Sequence, residues 1–568
     1  MSLSATKSIL ILIILMSVFQ ISHSLDIQYT NFLRDISHVI SSDRIIVGED
    51  ETKMYAADTS FYYLVPKVVV MVNDEAEVVA CLKASNQHGV AITFRAGGTS
   101  LAGQAISDSV LLLLAKDKWI SCDYNAQTNQ VKLQPGLTGE KANQFLAPHQ
   151  KKIGPDPASI RWAQIGGMAS TNASGICCRT HQNSYHTVAD MRLIFADGTL
   201  LDTSDKSSCQ AFRKSHAKLL GELEQLAHKT QENKQLADKI RTAYAIKNTT
   251  GYSLNALIDY CDSIEIIKHL IIGAEGTLGF IAQITLATLP DHPHKATSFV
   301  FYPDIKSTCQ AAASLKDCPV SAVEFLDANI LQEALKQPNA PAFLKDVSSG
   351  TCALLIETRA YNAQDLQQNI AAVSAQLHMT KFLGTFNFTD EKQEYESYWK
   401  LRKSLLIYAG QACELGQTVI IEDVAVTRDQ LAGAVQDIQK VLEKYRYEKS
   451  FIFGHALDGN IHFVFAQGFD HPDDLEVYEK FMDDMATIIV GKYHGSLKGE
   501  HGTGRNIAPF VEMEWGTDAY KTMQRIKQIF DPKNILNPGV ILNADSRIHV
   551  KNLKKVPATK KYDYSWLK

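Results

Sequence analysis

The ten cysteines of this 568-residue chain include no C-x-x-C pair, and only Cys177 and Cys178 are adjacent. Neither a zinc ribbon nor an iron–sulfur ligand run is written here. There is no G-x-G-x-x-G and no P-loop pattern, so the two commonest phosphate-binding signatures are excluded. A surplus of positive charge is missing too, and the formal net charge of -5 gives no reason to expect nucleic-acid binding. No twin-arginine pair occurs, so a cofactor would be acquired after any export. Beyond the N-terminus nothing resembles a membrane span.

What remains is an ordinary globular composition, 45% apolar and 21% charged, in a chain long enough for two or three domains. Lys7 precedes the apolar run Ile9 to Phe19, and Ser22-His23-Ser24 offers small residues for cleavage near Ser24–Leu25. That pattern reads as a secretory signal peptide over 1–24, or an uncleaved anchor. It predicts export to a periplasmic or secretory compartment, or attachment to the cell envelope, with membrane association possible.

Strands are predicted at Val68–Val72, Ala91–Phe94, Val110–Leu114, Met191–Phe195 and Phe280–Thr288, with a helix over Glu75–His88. A polar stretch from Ser215 to Tyr244 reads as a surface helix. Pro290-Asp-His-Pro293 marks a boundary before an α+β region of largely antiparallel sheet. A last helix near Asp518–Phe530 is stopped by Asp531-Pro532 and Asn537-Pro538-Gly539. The expected division is an N-terminal segment 25–60, a first domain 61–292, a second 293–517, a returning segment 518–545 and a tail 546–568.

Three clusters of small residues lie in the first domain: Phe94–Gln104, Ile165–Gly175 and Gly273–Gly279. Such loops let backbone N–H groups approach a pyrophosphate. One alone is better read as an ordinary turn; three in one domain favour an extended ligand. The second domain carries His455-Ala-Leu-Asp-Gly-Asn-Ile-His462, followed by Gly499-Glu500-His501-Gly502. With Asp458-Gly459 as a two-residue turn, Leu457 faces Asn460, Ala456 faces Ile461 and His455 faces His462. Opposed imidazoles can share a metal ion, with Glu500 as an oxygen ligand and His501 free as a base. The same spacing also fits a hairpin with two incidental histidines.

The small-residue clusters, with Gly154–Ser159 and Gly273–Ile281, resemble the flavin-binding half of vanillyl-alcohol-oxidase-type FAD proteins. The hairpin, Gly499–His501 and Asn537-Pro-Gly539 narrow the resemblance to FAD-linked D-2-hydroxy acid dehydrogenases. These include D-lactate and D-2-hydroxyglutarate dehydrogenases and the glycolate oxidase subunits. The chain is most similar to the flavin portion of large bacterial enzymes that join this unit to an iron–sulfur module. The likeness covers about residues 50 to 555.

The resemblance implies an α+β protein: a PCMH-type FAD-binding domain plus an α+β substrate (cap) domain with a largely antiparallel sheet. It implies that Gly97, Gly98, Thr99 and Ser100 hold the FAD pyrophosphate. Gly166, Gly167, Asn172, Ser174 and Gly175 line the flavin, and Gly276, Gly279 and Ile281 pass its adenosine end. Arg95, Gly103, Gln104, Pro157 and Asn537 complete the cofactor set. His455, His462 and Glu500 correspond to ligands of a divalent metal, usually zinc. His501 corresponds to the base and Arg402 to a substrate-carboxylate ligand; a salt-bridged helix residue is the plainer reading of Arg402. FAD is expected to be non-covalent.

Two departures bear on the substrate and acceptor. Ile421 and Val464 stand where D-2-hydroxyglutarate dehydrogenases have polar substrate contacts, which favours a short monocarboxylate such as D-lactate. No cysteine run follows Tyr562, so electrons are expected to pass to an external quinone, cytochrome or iron–sulfur protein. A metallohydrolase would leave the three clusters unexplained, and a flavin-fold partner subunit of an electron-transfer complex is the non-catalytic alternative.

Overall fold

The computed structural model describes residues 25–337, 340–345, 347–557 and 559–560, with every side chain but that of Leu406. The signal segment expected at 1–24 and the last eight residues of the expected tail, 561–568, lie outside the described residues. Among the described residues no helix is long and apolar enough to cross a membrane.

The first sheet is built from β1 (Ile45–Val47), β2 (Val68–Val72), β3 (Ile92–Arg95) and β4 (Val110–Leu114), in the order β1-β2-β4-β3. β2, β3 and β4 run parallel, and the apolar runs Val68–Val70 and Val110–Leu112 are buried on both faces. The crossover helix Glu75–His88 starts where the Asp74 carboxylate accepts the Glu77 N–H, and ends at Gly89 with φ 67°.

The second sheet joins β5 (Cys122–Asn125), β6 (Gln130–Leu133), β8 (Val188–Ile194), β9 (Leu200–Asp202) and β10 (Phe280–Ala287) in the order β5-β6-β10-β8-β9, all antiparallel. A short pair, β7 (Lys151–Lys152) with β11 (Leu289–Pro290), lies where the chain leaves this half. The stretch read as one surface helix is two, Ala217–Glu232 and Lys234–Ala243. The break falls at Asn233, whose side chain accepts the Leu236 N–H and so caps the second helix.

The cap sheet has six antiparallel strands: β12 (His294–Tyr302), β13 (Ala322–Leu326), β14 (Cys352–Ala360), β15 (Gln417–Ala425), β16 (Phe451–His455) and β17 (Asn460–Gly468). Their order is β12-β14-β13-β16-β17-β15, which puts the histidine hairpin beside β13 and β15. The helix expected from Asp518 begins at Val511 and kinks at Gly516, φ 75°. After it the chain returns to the first sheet: Ile92 N–H donates to Ile535 O, and Asn537 N–H to Ile92 O.

Candidate functional site

The hairpin forms, but its turn is longer than Asp458-Gly459. Ala456–Asp458 make one 3-10 turn and Gly459 follows with φ 64°. Only glycine fits there, because a Cβ would stand 1.9 Å from Val426 O. The register is therefore His455↔Asn460, Gly454↔Ile461 and Phe453↔His462. This corrects the expected facing of His455 with His462, Ala456 with Ile461 and Leu457 with Asn460. The slip is two residues on one strand, and side chains alternate with a period of two, so both histidines keep one face. They meet on the diagonal, ring centroids 5.1 Å apart and Nε2 to Nε2 3.3 Å.

Glu500 closes a triangle with them. Its Oε1 lies 3.1 Å from His455 Nε2 and 3.4 Å from His462 Nε2. Ligand atoms of a tetrahedral dication with bonds of about 2.0–2.2 Å are separated by about 3.3–3.6 Å. Two imidazole nitrogens and one carboxylate oxygen at these spacings fit such an ion and leave a fourth position open. Asp423 also lies close enough to His462 and His501 to suggest a second donor set. Its oxygens are spent elsewhere: Oδ2 accepts the N–H groups of Glu500 and His501, and Oδ1 accepts Asn460 Nδ2. Asp423 thus braces the loop that presents Glu500.

Three supporting residues were not foreseen. Glu324 Oε1 accepts from His455 Nδ1 at 2.6 Å, which turns Nε2 toward the triangle. Asp423 Oδ1 stands 3.4 Å from His462 Nδ1. Lys247 Nζ reaches Glu500 Oε2 at 3.0 Å and Asp458 Oδ2 at 3.4 Å. A signal did exist for two of them: Glu324 sits in the buried, otherwise apolar strand β13 and Asp423 in the buried end of β15, where an unpaired carboxylate would be costly.

Charge in the cluster follows from these contacts. Burial opposes ionisation of Glu324, but His455 and Arg402 hold it down at about 2. Burial likewise opposes ionisation of Glu500, and Lys247 and His455 outweigh it. For His455, burial is overcome by Glu324 and Glu500, and the ring is pushed up to about 9. His501 goes the other way: burial takes it down to about 4 despite Asp423, so the imidazole is neutral. It stacks on His462 at 4.9 Å, and its buried Nδ1 has no hydrogen-bond partner among the described residues. A neutral imidazole can accept a proton.

Arg402, on the helix Lys392–Lys403, is buried, donates from Nε to Glu324 Oε2 at 2.6 Å and lies 4.6 Å over the Phe453 ring. The ion pair anticipated for a helix residue is present, and it ties Arg402 to the metal-type cluster through Glu324.

The three small-residue clusters come together in the first half. Gly97 packs so closely on the segment 162–164 that a Cβ would sit 2.6 Å from Trp162 O. Gly98 has φ 66°, Gly103 φ 76° against Tyr62, and Gly276 φ 71° against Phe94. Gly166 abuts Pro135, whereas a Cβ at Gly167 would make an ordinary contact with Ala96 at 3.6 Å. The backbones of Gly273 and Glu275 donate to Ala169 O and Ser170 O, which joins the second cluster to the third. Arg95 Nε donates to Ala105 O, and its buried Nη2 lacks a hydrogen-bond partner among the described residues. Close-approach glycines around an unsatisfied buried cation suit an anionic, extended cofactor. Thr99 and Ser100 are half-buried on the same loop, and Pro157 follows Asp156, which bridges to Gly175.

Several residues expected to line the cofactor have other partners. Ser174 Oγ and Gly175 N–H both donate to Glu500 Oε2, at 2.8 and 2.9 Å. They link the cradle to the metal-type cluster. Asn537 is spent on Gln104 O, Glu275 O and Thr93 Oγ1, so its side chain braces two loops. Gln104 Nε2 donates to His501 O. Asn172 Oδ1 accepts the Tyr185 N–H. Ile281 packs into the core and pairs with Leu193 within the second sheet, just beyond Gly279 at the start of β10.

Two family models match parts of the chain. Residues 66–204 match the FAD binding domain, and residues 291–541 match the FAD linked oxidases, C-terminal domain. The chain is 24% identical to a D-2-hydroxyglutarate dehydrogenase of Haemophilus influenzae, over 86% of this chain and 49% of that protein. It thus spans about half the length of that relative. It is 25% identical to the mitochondrial D-lactate dehydrogenase [cytochrome] of Arabidopsis thaliana, over 89% of this chain and 78% of that one. Substrate-bound p-cresol methylhydroxylase shares the fold at TM-score 0.63 and 12% identity, over 91% and 98% of the two chains.

Proposed function

Since this chain belongs to the FAD-linked oxidoreductases and carries both domains of that family, we propose that it oxidises a D-2-hydroxy acid to the 2-oxo acid. The observation that carries the reading is the His455–His462–Glu500 triangle, tied to Arg402 on one side through Glu324 and to the flavin-domain loop on the other through Ser174 and Gly175.

In this reading Arg402 pairs with the substrate carboxylate through its remaining N–H donors and fixes the face of C2 offered to the cofactor. His455, His462 and Glu500 would hold a divalent metal, for which the donor set suits zinc. His501 accepts the hydroxyl proton. When bound, the metal would supply a Lewis acid at the substrate hydroxyl and non-covalently held FAD would supply the hydride acceptor. An external carrier, a quinone, a cytochrome or an iron–sulfur protein, would receive the electrons.

D-lactate is the preferred substrate. Ile421 and Val464 are register partners on β15 and β17, on the face that carries His462, and offer no hydrogen bond to a second carboxylate. D-2-hydroxyglutarate is the rival, from the names of relatives. Anaerobic mixing of the FAD-loaded protein with D-lactate, L-lactate and D-2-hydroxyglutarate, following the flavin absorption, tests both. Bleaching by D-lactate is expected; bleaching by D-2-hydroxyglutarate alone reverses the preference, and bleaching by none of them rejects the activity. The apolar run at 9–19 supports export, which N-terminal sequencing of the mature protein checks.

A further inference from the structure

Glu324 is the polar residue of the buried strand Ala322–Leu326, with no exposed surface, and it has two partners of different kinds. Oε1 accepts from His455 Nδ1 and Oε2 from Arg402 Nε, each at 2.6 Å. One carboxylate therefore stands between a residue of the metal triangle and the arginine of the substrate side. We propose that Glu324 is a positioning residue whose two oxygens couple metal affinity to substrate-carboxylate affinity. This inference rests on the functional reading above.

The physical argument has two halves. An imidazole that donates from Nδ1 keeps its Nε2 lone pair for a ligand bond, and in this cluster Glu324 supplies the acceptor that fixes the tautomer. A guanidinium carries five N–H donors in a rigid plane, so anchoring Nε on Glu324 and holding Cζ 4.6 Å from the Phe453 ring centroid restricts where the other donors lie. The two subsites of a 2-hydroxy acid, its carboxylate and its hydroxyl, are adjacent atoms of one molecule. A single rigid acid bonded to both protein groups sets the spacing they require. A purely structural ion pair, holding the helix Lys392–Lys403 to the cap sheet, would instead affect stability alone.

The test is Glu324→Gln in the FAD-loaded protein. The amide keeps the volume but has one acceptor oxygen, so one partner meets N–H against N–H. Zinc affinity, read by competition with a chromophoric chelator, is expected to fall about 10–100-fold. Affinity for pyruvate, read from its perturbation of the flavin spectrum, is expected to fall with it. Glu324→Asp, which retains both acceptors, should recover part of both. Wild-type affinity for either probe in Glu324→Gln overturns the coupling. If Glu324→Gln does not fold, Arg402→Met decides: zinc should weaken about threefold or more although Arg402 is no part of the triangle, and unchanged zinc affinity overturns the proposal. Failure of the wild-type protein to bind zinc and pyruvate would instead refute the functional reading, so the two failures are distinct.

Discussion

The histidine hairpin and the glycine loops are specified by different means. Around the hairpin, side chains hold side chains: Glu324 holds His455, Asp423 stands beside His462, and Lys247 with Ser174 holds Glu500. In the glycine loops the backbone does the work, through positive φ at Gly98, Gly103 and Gly276 and close approach at Gly97 and Gly166. A site of the first kind fails when a functional group is lost. One of the second kind fails when volume is added. Substitutions should therefore separate metal from flavin, and the separation can be broken experimentally.

The largest effect is expected from His462→Ala. It deletes a triangle atom, so metal content should fall to background. Turnover should drop by more than the about 10–100-fold that loss of a ligand's supporting hydrogen bond costs. Flavin content should not change. Metal and flavin analysis of the same preparation checks this, and loss of both together would erase the distinction. Gly98→Val is the opposite experiment. A side chain at φ 66° costs about 1–2 kcal/mol by itself and adds volume to the loop. The protein should lose FAD while still titrating with zinc in a chelator competition assay.

The two regions also differed in how far the sequence disclosed them. The glycine clusters, the strands Val68–Val72 and Val110–Leu114 and the helix Glu75–His88 are local patterns, and they appear where periodicity and composition put them. The hairpin was legible because alternation and Asp-Gly are local too. Its register was not: the turn takes in Ala456 and Leu457, which are buried in the cap core rather than paired across the strands. The parity of a strand rescued the outcome, since a slip of two returns the same face. Glu324 and Lys247 lie 131 and 253 residues from their partners, and no local period links groups that far apart. Nor does a glycine-rich cluster reveal that the Ser174 hydroxyl and the Gly175 N–H face the distant carboxylate of Glu500.

A smaller effect is expected at the join between the regions. Glu500 Oε2 receives donors from Ser174, Gly175 and Lys247, and Oε1 is left for the histidines. Lys247→Met removes one donor and the buried countercharge. Zinc affinity should weaken by about 10–100-fold, with turnover restored by excess zinc and FAD retained. Chelator competition and zinc-dependent kinetics measure this. If flavin falls in parallel with zinc, the loop 172–175 transmits between the two regions and the contrast drawn above is too sharp.

The smallest effect makes the most exacting test, at Gly167. It lies within the helix Ile165–Ser170, and a Cβ there would meet nothing nearer than Ala96 at 3.6 Å, an ordinary contact. Gly167→Ala should therefore not strain the protein. Replacing glycine by alanine inside a helix should stabilise the FAD-free form by about 0.5–1 kcal/mol, by restricting the unfolded chain. The same methyl group projects where the first and second small-residue clusters meet. If a cofactor passes along that junction, FAD affinity falls while the apoprotein melts higher, two changes of opposite sign from one methyl group. Calorimetry of the FAD-free protein and a flavin-fluorescence titration give both numbers. A higher melting temperature with unchanged FAD affinity would move the cofactor away from Gly167, and would leave the glycines of this helix with a packing role against Pro135 and Ala96.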